Sequence, residues 1–225
     1  MAAICTLLTN SGSNSSHATY DTASITPHTG KLILLSVGNN RGAAGVVEAT
    51  ATGCGVTWVK VNSVTSSDSK QCLTLLRALG NPTTGAITIA FSTSPDTCEW
   101  SVSEISNVDK SGTNGSAAIV QNATNKTDGT TVTGITVTLS AFSNTNNATF
   151  GCVRVNNSNT IVEGSGFTEI SDGQSSGGQT LETEFKNSND TTVDWTWGSS
   201  SNRSQAIAVE IKYASYGGSF ILNMI

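Results

Sequence analysis

Charge is what this sequence has least of. Charged residues make up 12% of the 225-residue chain, against about 25% in typical soluble domains. The 11 Lys and Arg and 16 Asp and Glu leave a formal net charge of −5. No basic block occurs, so a partner held by its phosphate backbone is excluded and no nucleic acid is expected. No run of about 18–20 apolar residues occurs, so no membrane-spanning helix is expected. Only His17 and His28 supply imidazole, and no Cys-x-x-Cys pair or Cys/His cluster exists; that pattern argues against zinc. The stretch GNNRGAAG (38–45) is glycine-rich but lacks a Lys-Ser/Thr pair and a following helix. It reads as a strand connection, not a phosphate cradle. Helical periodicity is weak throughout.

Ser, Thr, Asn and Gly take the place of charge. They are poor helix formers that suit strands and turns. KLILLSVG (31–38) is an apolar run between glycines, as expected of a strand buried on both faces. VEATATG (47–53) and GVTWVKVNSV (55–64) follow, the second with Val56, Trp58 and Val64 assigned to one buried face. QCLTLLRAL (71–79) leads into GNPTTG (80–85), where Pro82 presets φ for a turn. AITIAFS (86–92), EWSVSEIS (99–106), VTGITVTLS (132–140), NATFGCVRV (147–155), TLETEF (180–185), TTVDWTW (191–197) and QAIAVEIKY (205–213) alternate as strands do. The polar stretches 108–130 and 172–179 read as the longest loops. About a dozen short strands on short connections predict an antiparallel β-sandwich or barrel. One domain over residues 1–215 is expected, followed by an apolar segment, 216–225.

The order KLILLSVGNN, GVTWVKVNSV, LTLLRALGNPTTGAITIAFS, CEWSVSEISNVD and TVDWTWGSSSNRSQAIAVEIK resembles a diffuse family of jelly-roll-like β-sandwich proteins. That family occurs in bacteriophage virions and in some secreted bacterial proteins, and the likeness spans about residues 30–212. It implies a structural or surface-binding role and brings no catalytic residues with it. A virion protein also reconciles two features of the chain. MAAICTLL has no basic n-region and too short an apolar stretch for a signal peptide. Yet few charges and many Ser, Thr and Asn resemble an extracellular surface.

Candidate chemistry is sparse. Glu99, Glu104, Asp194 and Glu210 lie in or beside apolar strands. Paired carboxylates held about 5–10 Å apart hydrolyse glycosides, but nothing in the sequence brings two of them together. Each is expected to face solvent, cap a loop or pair with a cation. His17 and His28 read as exposed loop histidines. Cys72 and Cys152 read as buried thiols; Cys5 is a further thiol, and Cys54 and Cys98, at strand or loop ends, have the option of pairing. The sequons at Asn14, Asn114, Asn122 and Asn147 carry little weight without a secretion signal. Trp195 and Trp197 are two apart on one strand and so share a face. They serve either as sandwich core or as a platform that stacks on sugar rings.

The C-terminal FILNMI places Phe220, Ile221, Leu222, Met224 and Ile225 behind a Gly-Gly hinge. A free segment of that kind is an aggregation hazard. It has two homes: one more strand of its own sandwich, or a groove or edge on a neighbouring subunit or capsid surface. The reading that joins these points is a virion structural protein without cofactor or enzymatic activity. It would be a capsid decoration (cement) subunit, homo-oligomeric, bound to a major capsid protein or another virion protein. The alternative is a carbohydrate- or receptor-binding appendage that recognises surface glycans.

Overall fold

The computed structural model describes residues 2–156, 160–175 and 178–214. Among the described residues the alternating segments become fourteen strands. The first eight are β1 (Ile4–Ser13), β2 (Thr19–Asp21), β3 (Leu32–Asn40), β4 (Thr50–Gly53), β5 (Val59–Thr65), β6 (Gln71–Ala78), β7 (Ile87–Ala90) and β8 (Thr97–Ser106). A single 3-10 turn, Ser116–Ala118, precedes β9 (Ile119–Thr138), β10 (Ala148–Val155), β11 (Ile161–Val162), β12 (Thr168–Ser175), β13 (Gln179–Lys186) and β14 (Thr192–Ile211).

Two principal sheets form, and every strand pair in them is antiparallel. The amino-terminal sheet has the order β1-β8-β3-β6-β5. The carboxy-terminal sheet has the order β11-β14-β10-β13-β12, with β9 beside β14. They stack face to face, β1 across β12 and β5 across β9. The fold is therefore an all-β antiparallel sandwich. Each sheet is drawn from its own half of the chain, so the pairing does not trace the interleaved path of a jelly roll. The halves share one central core: Leu32, Leu34, Leu73 and Leu75 from the first meet Phe150, Cys152, Leu181, Phe185, Ile207 and Val209 from the second.

Neither sheet leaves the outer face of its inner strands to water. Because strand side chains alternate, Ile33, Leu35 and Val37 point away from Leu32 and Leu34. They are covered by the small sheet β2-β7-β4 through Tyr20, Ile87, Ile89 and Phe91. On the far side, β9 and β14 form a long two-stranded ribbon. β14 pairs with β10 only from Ser204 to Ile211. The ribbon loses register between Thr196 and Arg203, and bulges of that kind bend a strand. Its other half brings Ile135, Val137, Val193, Trp195 and Trp197 onto Val153, Val155, Ala206 and Ala208. The expected two layers are thus four, with three cores between them. Full burial of each large side chain contributes roughly 1.5–3 kcal/mol before chain entropy.

Three local expectations change. Residues 119–130, read as part of a long loop, are the first half of β9; their Thr residues suit a strand with one wet face. The segments 191–197 and 205–213 are, but for their outer ends, one strand, β14 (Thr192–Ile211), joined through the irregular stretch of the ribbon. In β5 the register shifts between Lys60 and Asn62, so Val56 and Trp58 pack on the outer core while Val61 and Val64 pack on the central one.

Gly151 on β10 is where the ribbon seats. A Cβ there would lie 2.6 Å from Trp195 Cζ2 and 2.8 Å from Val193 Cγ1. Gly151→Ala is expected to destabilise the fold by about 1–3 kcal/mol through overpacking, read as a lower urea midpoint. An unchanged midpoint would show that the ribbon does not press on β10.

Candidate functional site

The four carboxylates singled out in the sequence do not converge on a reaction centre. Glu104 on β8 has a side chain only 2% exposed and accepts from Lys31 Nζ at 2.6 Å, His28 Nδ1 at 2.8 Å and the His28 backbone N–H at 2.9 Å. Burial pushes its carboxyl up, but Lys31 and His28 outweigh that and hold it below the usual range. Glu210 is buried and accepts from Gln121 Nε2 at 2.7 Å and Asn147 Nδ2 at 2.5 Å. Glu99 is buried on the Arg154 side of the sandwich and favours that guanidinium's charge. Asp194 is half-buried in the ribbon. The His28 ring stays exposed while serving Glu104, and exposed His17 packs edge-on against Tyr20.

Arg154 lies in the central layer, fully buried, on the same face as Phe150 and Cys152. Its Nε donates to Gln179 Oε1 at 2.9 Å and its Nη1 to Gln205 Oε1 at 3.2 Å. Gly38 leaves it room, since a Cβ there would stand 3.0 Å from Arg154 Cγ. Burial lowers its pKa to about 10, against the pull of Glu99. These bonds join three strands of the carboxy-terminal sheet, and Gln179 Nε2 in turn donates across the sandwich to Thr97 Oγ1 on β8; the buried plug has no access to a substrate.

A second polar cluster was not singled out in the sequence. In TLETEF, Leu181, Thr183 and Phe185 face the central core, which turns Glu182 and Glu184 outward. A strand of this pattern reads as half-wet, but the ribbon covers it, and both carboxylates are 0% exposed. Asp172 pairs with Glu182, and Glu169 with Glu184, across β12 and β13. Among the described residues neither Glu182 oxygen meets a hydrogen-bond partner, and Glu184 accepts from the Gly164 N–H at 2.8 Å. Burial first, and Glu184 next, push Glu182 well above the ordinary carboxylate value, opposed by the Trp195 indole. Burial raises Glu184 to about 8, opposed by the Gly164 N–H and reinforced by Asp194. Acids pushed up in this way resemble catalytic ones, but here the ribbon covers them. No group of three or more His, Cys, Asp or Glu is placed to hold a metal among the described residues.

Trp195 and Trp197 are 1% and 3% exposed, packed under the ribbon. Neither ring offers a face to a sugar, so the platform reading gives way to the core reading. All five cysteines, Cys5, Cys54, Cys72, Cys98 and Cys152, are free thiols. Burial pushes Cys5 and Cys152 up to about 12, which makes them inert space-fillers.

What remains available is an edge. β1 is the terminal strand of its sheet, and it carries Ile4 at 61% and Leu7 at 37% exposure. They are two of the four exposed large hydrophobics among the described residues, the others being Val120 and Val162. The opposite edge is laced across the sandwich instead: Asn62 Nδ2 donates to Asn122 Oδ1 at 2.6 Å, and Lys126 Nζ to the Thr65 carbonyl at 3.1 Å. No such charged guard stands on β1, whose ten residues carry neither Lys nor acid. Among the described residues its shield is a bulge between Leu7 and Thr9. The chain arrives at the foot of this edge. Ala214 N–H donates to the Asn107 carbonyl at 2.9 Å, and Asn107 Nδ2 donates to the Ala2 carbonyl at 2.7 Å. The apolar candidates Phe220, Ile221, Leu222, Met224 and Ile225 lie outside the described residues.

The sealed acids have a measurable consequence. A carboxyl raised from 4.5 to about 8 on folding stabilises the fold fully below the unfolded value, and that stability is lost as pH rises through the folded value. Thermal stability is therefore expected to fall between about pH 5 and 8, by on the order of several kcal/mol in all. The double substitution Glu182→Gln, Glu184→Gln is expected to flatten that fall. Equal slopes in both proteins would mean that the carboxylates are not sealed.

No family model, no curated protein and no solved structure matches the chain.

Proposed function

We propose that the protein is a non-catalytic structural subunit of a bacteriophage virion, of the capsid-decoration (cement) type. It would attach to its neighbours through the β1 edge and the apolar segment 216–225. The observation that carries this reading is the unguarded edge, with Ile4 and Leu7 exposed, beside the place where the chain reaches Ala214. Strand addition at such an edge supplies main-chain hydrogen bonds, and alternate apolar side chains supply affinity. Burying five residues of the size of Phe220, Ile221, Leu222, Met224 and Ile225 would contribute roughly 1.5–3 kcal/mol each before ordering entropy. The scarcity of surface charge suits close packing between copies, since few ions need to be desolvated. The buried titratable groups, by contrast, serve the interior and offer nothing to a substrate.

Removing residues 217–225 is expected to leave a protein with the same unfolding midpoint but a monomeric mass by analytical ultracentrifugation. It should also be absent from the particle fraction of cells making the virion. Ile4→Ser with Leu7→Ser is expected to weaken the same association. Unchanged assembly and unchanged particle association in both variants would contradict the reading.

A further inference from the structure

Between the small outer sheet and β5 runs an open groove of about 650 Å³. Its floor is Leu76 and its near side is Trp58, Lys60 and Thr65 from the β5 region; its wall is residues 46–51, leading into β4. The bulge at Val61 makes this arrangement. It lets Trp58 and Lys60 face outward while Val64 stays in the central core. Trp58 is half-buried against the outer core, and its indole N–H donates to the Gly53 carbonyl at 3.4 Å, which holds the ring at the groove side. Beside it, Glu48 pairs with Lys60 and accepts from the Ser63 hydroxyl. Both members of the pair remain nearly half exposed, at 44% and 47%.

We propose that this groove binds a neutral oligosaccharide, stacked on Trp58 and hydrogen-bonded to the Glu48–Lys60 pair. The pair sums to zero charge, so the groove favours an uncharged ligand. Lys60 has donors and Glu48 has lone pairs left over after their mutual bond. Adjacent sugar hydroxyls both donate and accept, and so engage the two together. The aromatic ring beside them meets the C–H face of a sugar, as aromatic side chains with one apolar face do. A peptide strand added along β4 fits less well, because β4 is the terminal strand of its sheet but only four residues long. The groove lies over β5 and β6, at the far edge of the sheet from β1. It goes beyond the attachment surface, and failure at either place leaves the other standing.

The test uses the full chain on an array of neutral gluco-, galacto- and manno-oligosaccharides, with calorimetric titration of the best-bound hexasaccharide. Saturable binding is expected, weakened about tenfold or more by Trp58→Leu and several-fold by Glu48→Gln. Glu48→Gln changes an exposed group and should keep the wild-type melting temperature, so it decides the matter if Trp58→Leu fails to fold. Three results would overturn the proposal. The first is no binding by any arrayed sugar at millimolar concentration. The second is binding indifferent to both substitutions. The third is capture of an extended hexapeptide in the groove with no sugar bound.

Discussion

The fold depends on covering both faces of both principal sheets. An antiparallel sandwich commonly leaves its outer faces wet, and its strands then alternate apolar with polar. Here the inner strands β3, β6, β10 and β13 are buried along almost their whole length. That is tolerable only because a small sheet lies over one side and a folded-back ribbon over the other. The ribbon's seat is narrow. Trp195 lies where only the absence of a side chain at Gly151 admits it, so one glycine and one indole set the spacing of the outermost layer.

Covering everything traps polar groups. Arg154 is answered by Gln179 and Gln205, whose amide oxygens accept its protons. Burying such a cation costs several kcal/mol unless it is bonded. The acids under the ribbon meet the cost differently: burial and mutual repulsion favour their neutral forms. The two clusters lie on opposite faces of the carboxy-terminal sheet. One is bonded by its partners; in the other, burial outweighs the few donors present, such as the Gly164 N–H. Ser101, Ser171 and Thr183 form a further polar group in the interior, with the Ser171 hydroxyl donating to Ser101 at 2.7 Å.

Period-two alternation made most of the strands legible, and KLILLSVG announced a strand buried on both faces through its unbroken apolar run. The outer layers were less legible, because covering is a long-range event. LETEF reads as an inward apolar face and an outward acidic one, which is the correct alternation, and nothing local says that Trp195 will close over Glu182 and Glu184. The same closure turns Trp195 and Trp197 from a solvent-facing pair into core. The first half of β9 was illegible for the opposite reason: its Thr, Asn and Gln look like loop until β14 supplies a partner. The bulge at Val61 shifts a face by one residue, a change that composition does not announce. Trp58 is thereby parted from Val64, and the groove it lines was visible only once the outer sheet was in place.

Once faces are consumed by covering layers, partners are left with edges and grooves. This is the link between the packing and the proposed attachment role: β1 is open where the opposite side is laced by Asn62, Asn122 and Lys126. The groove proposed for a ligand is likewise a gap in the covering, where the outer sheet leaves Trp58 half covered. Hydrogen–deuterium exchange on the intact chain tests the covering most directly. If the ribbon is a true layer, the amides of residues 132–138 and 192–197 exchange on the same timescale as those of β10, by global unfolding. If they exchange many-fold faster than β10, the ribbon opens by itself, the outer core is not a closed layer, and the account of this fold fails.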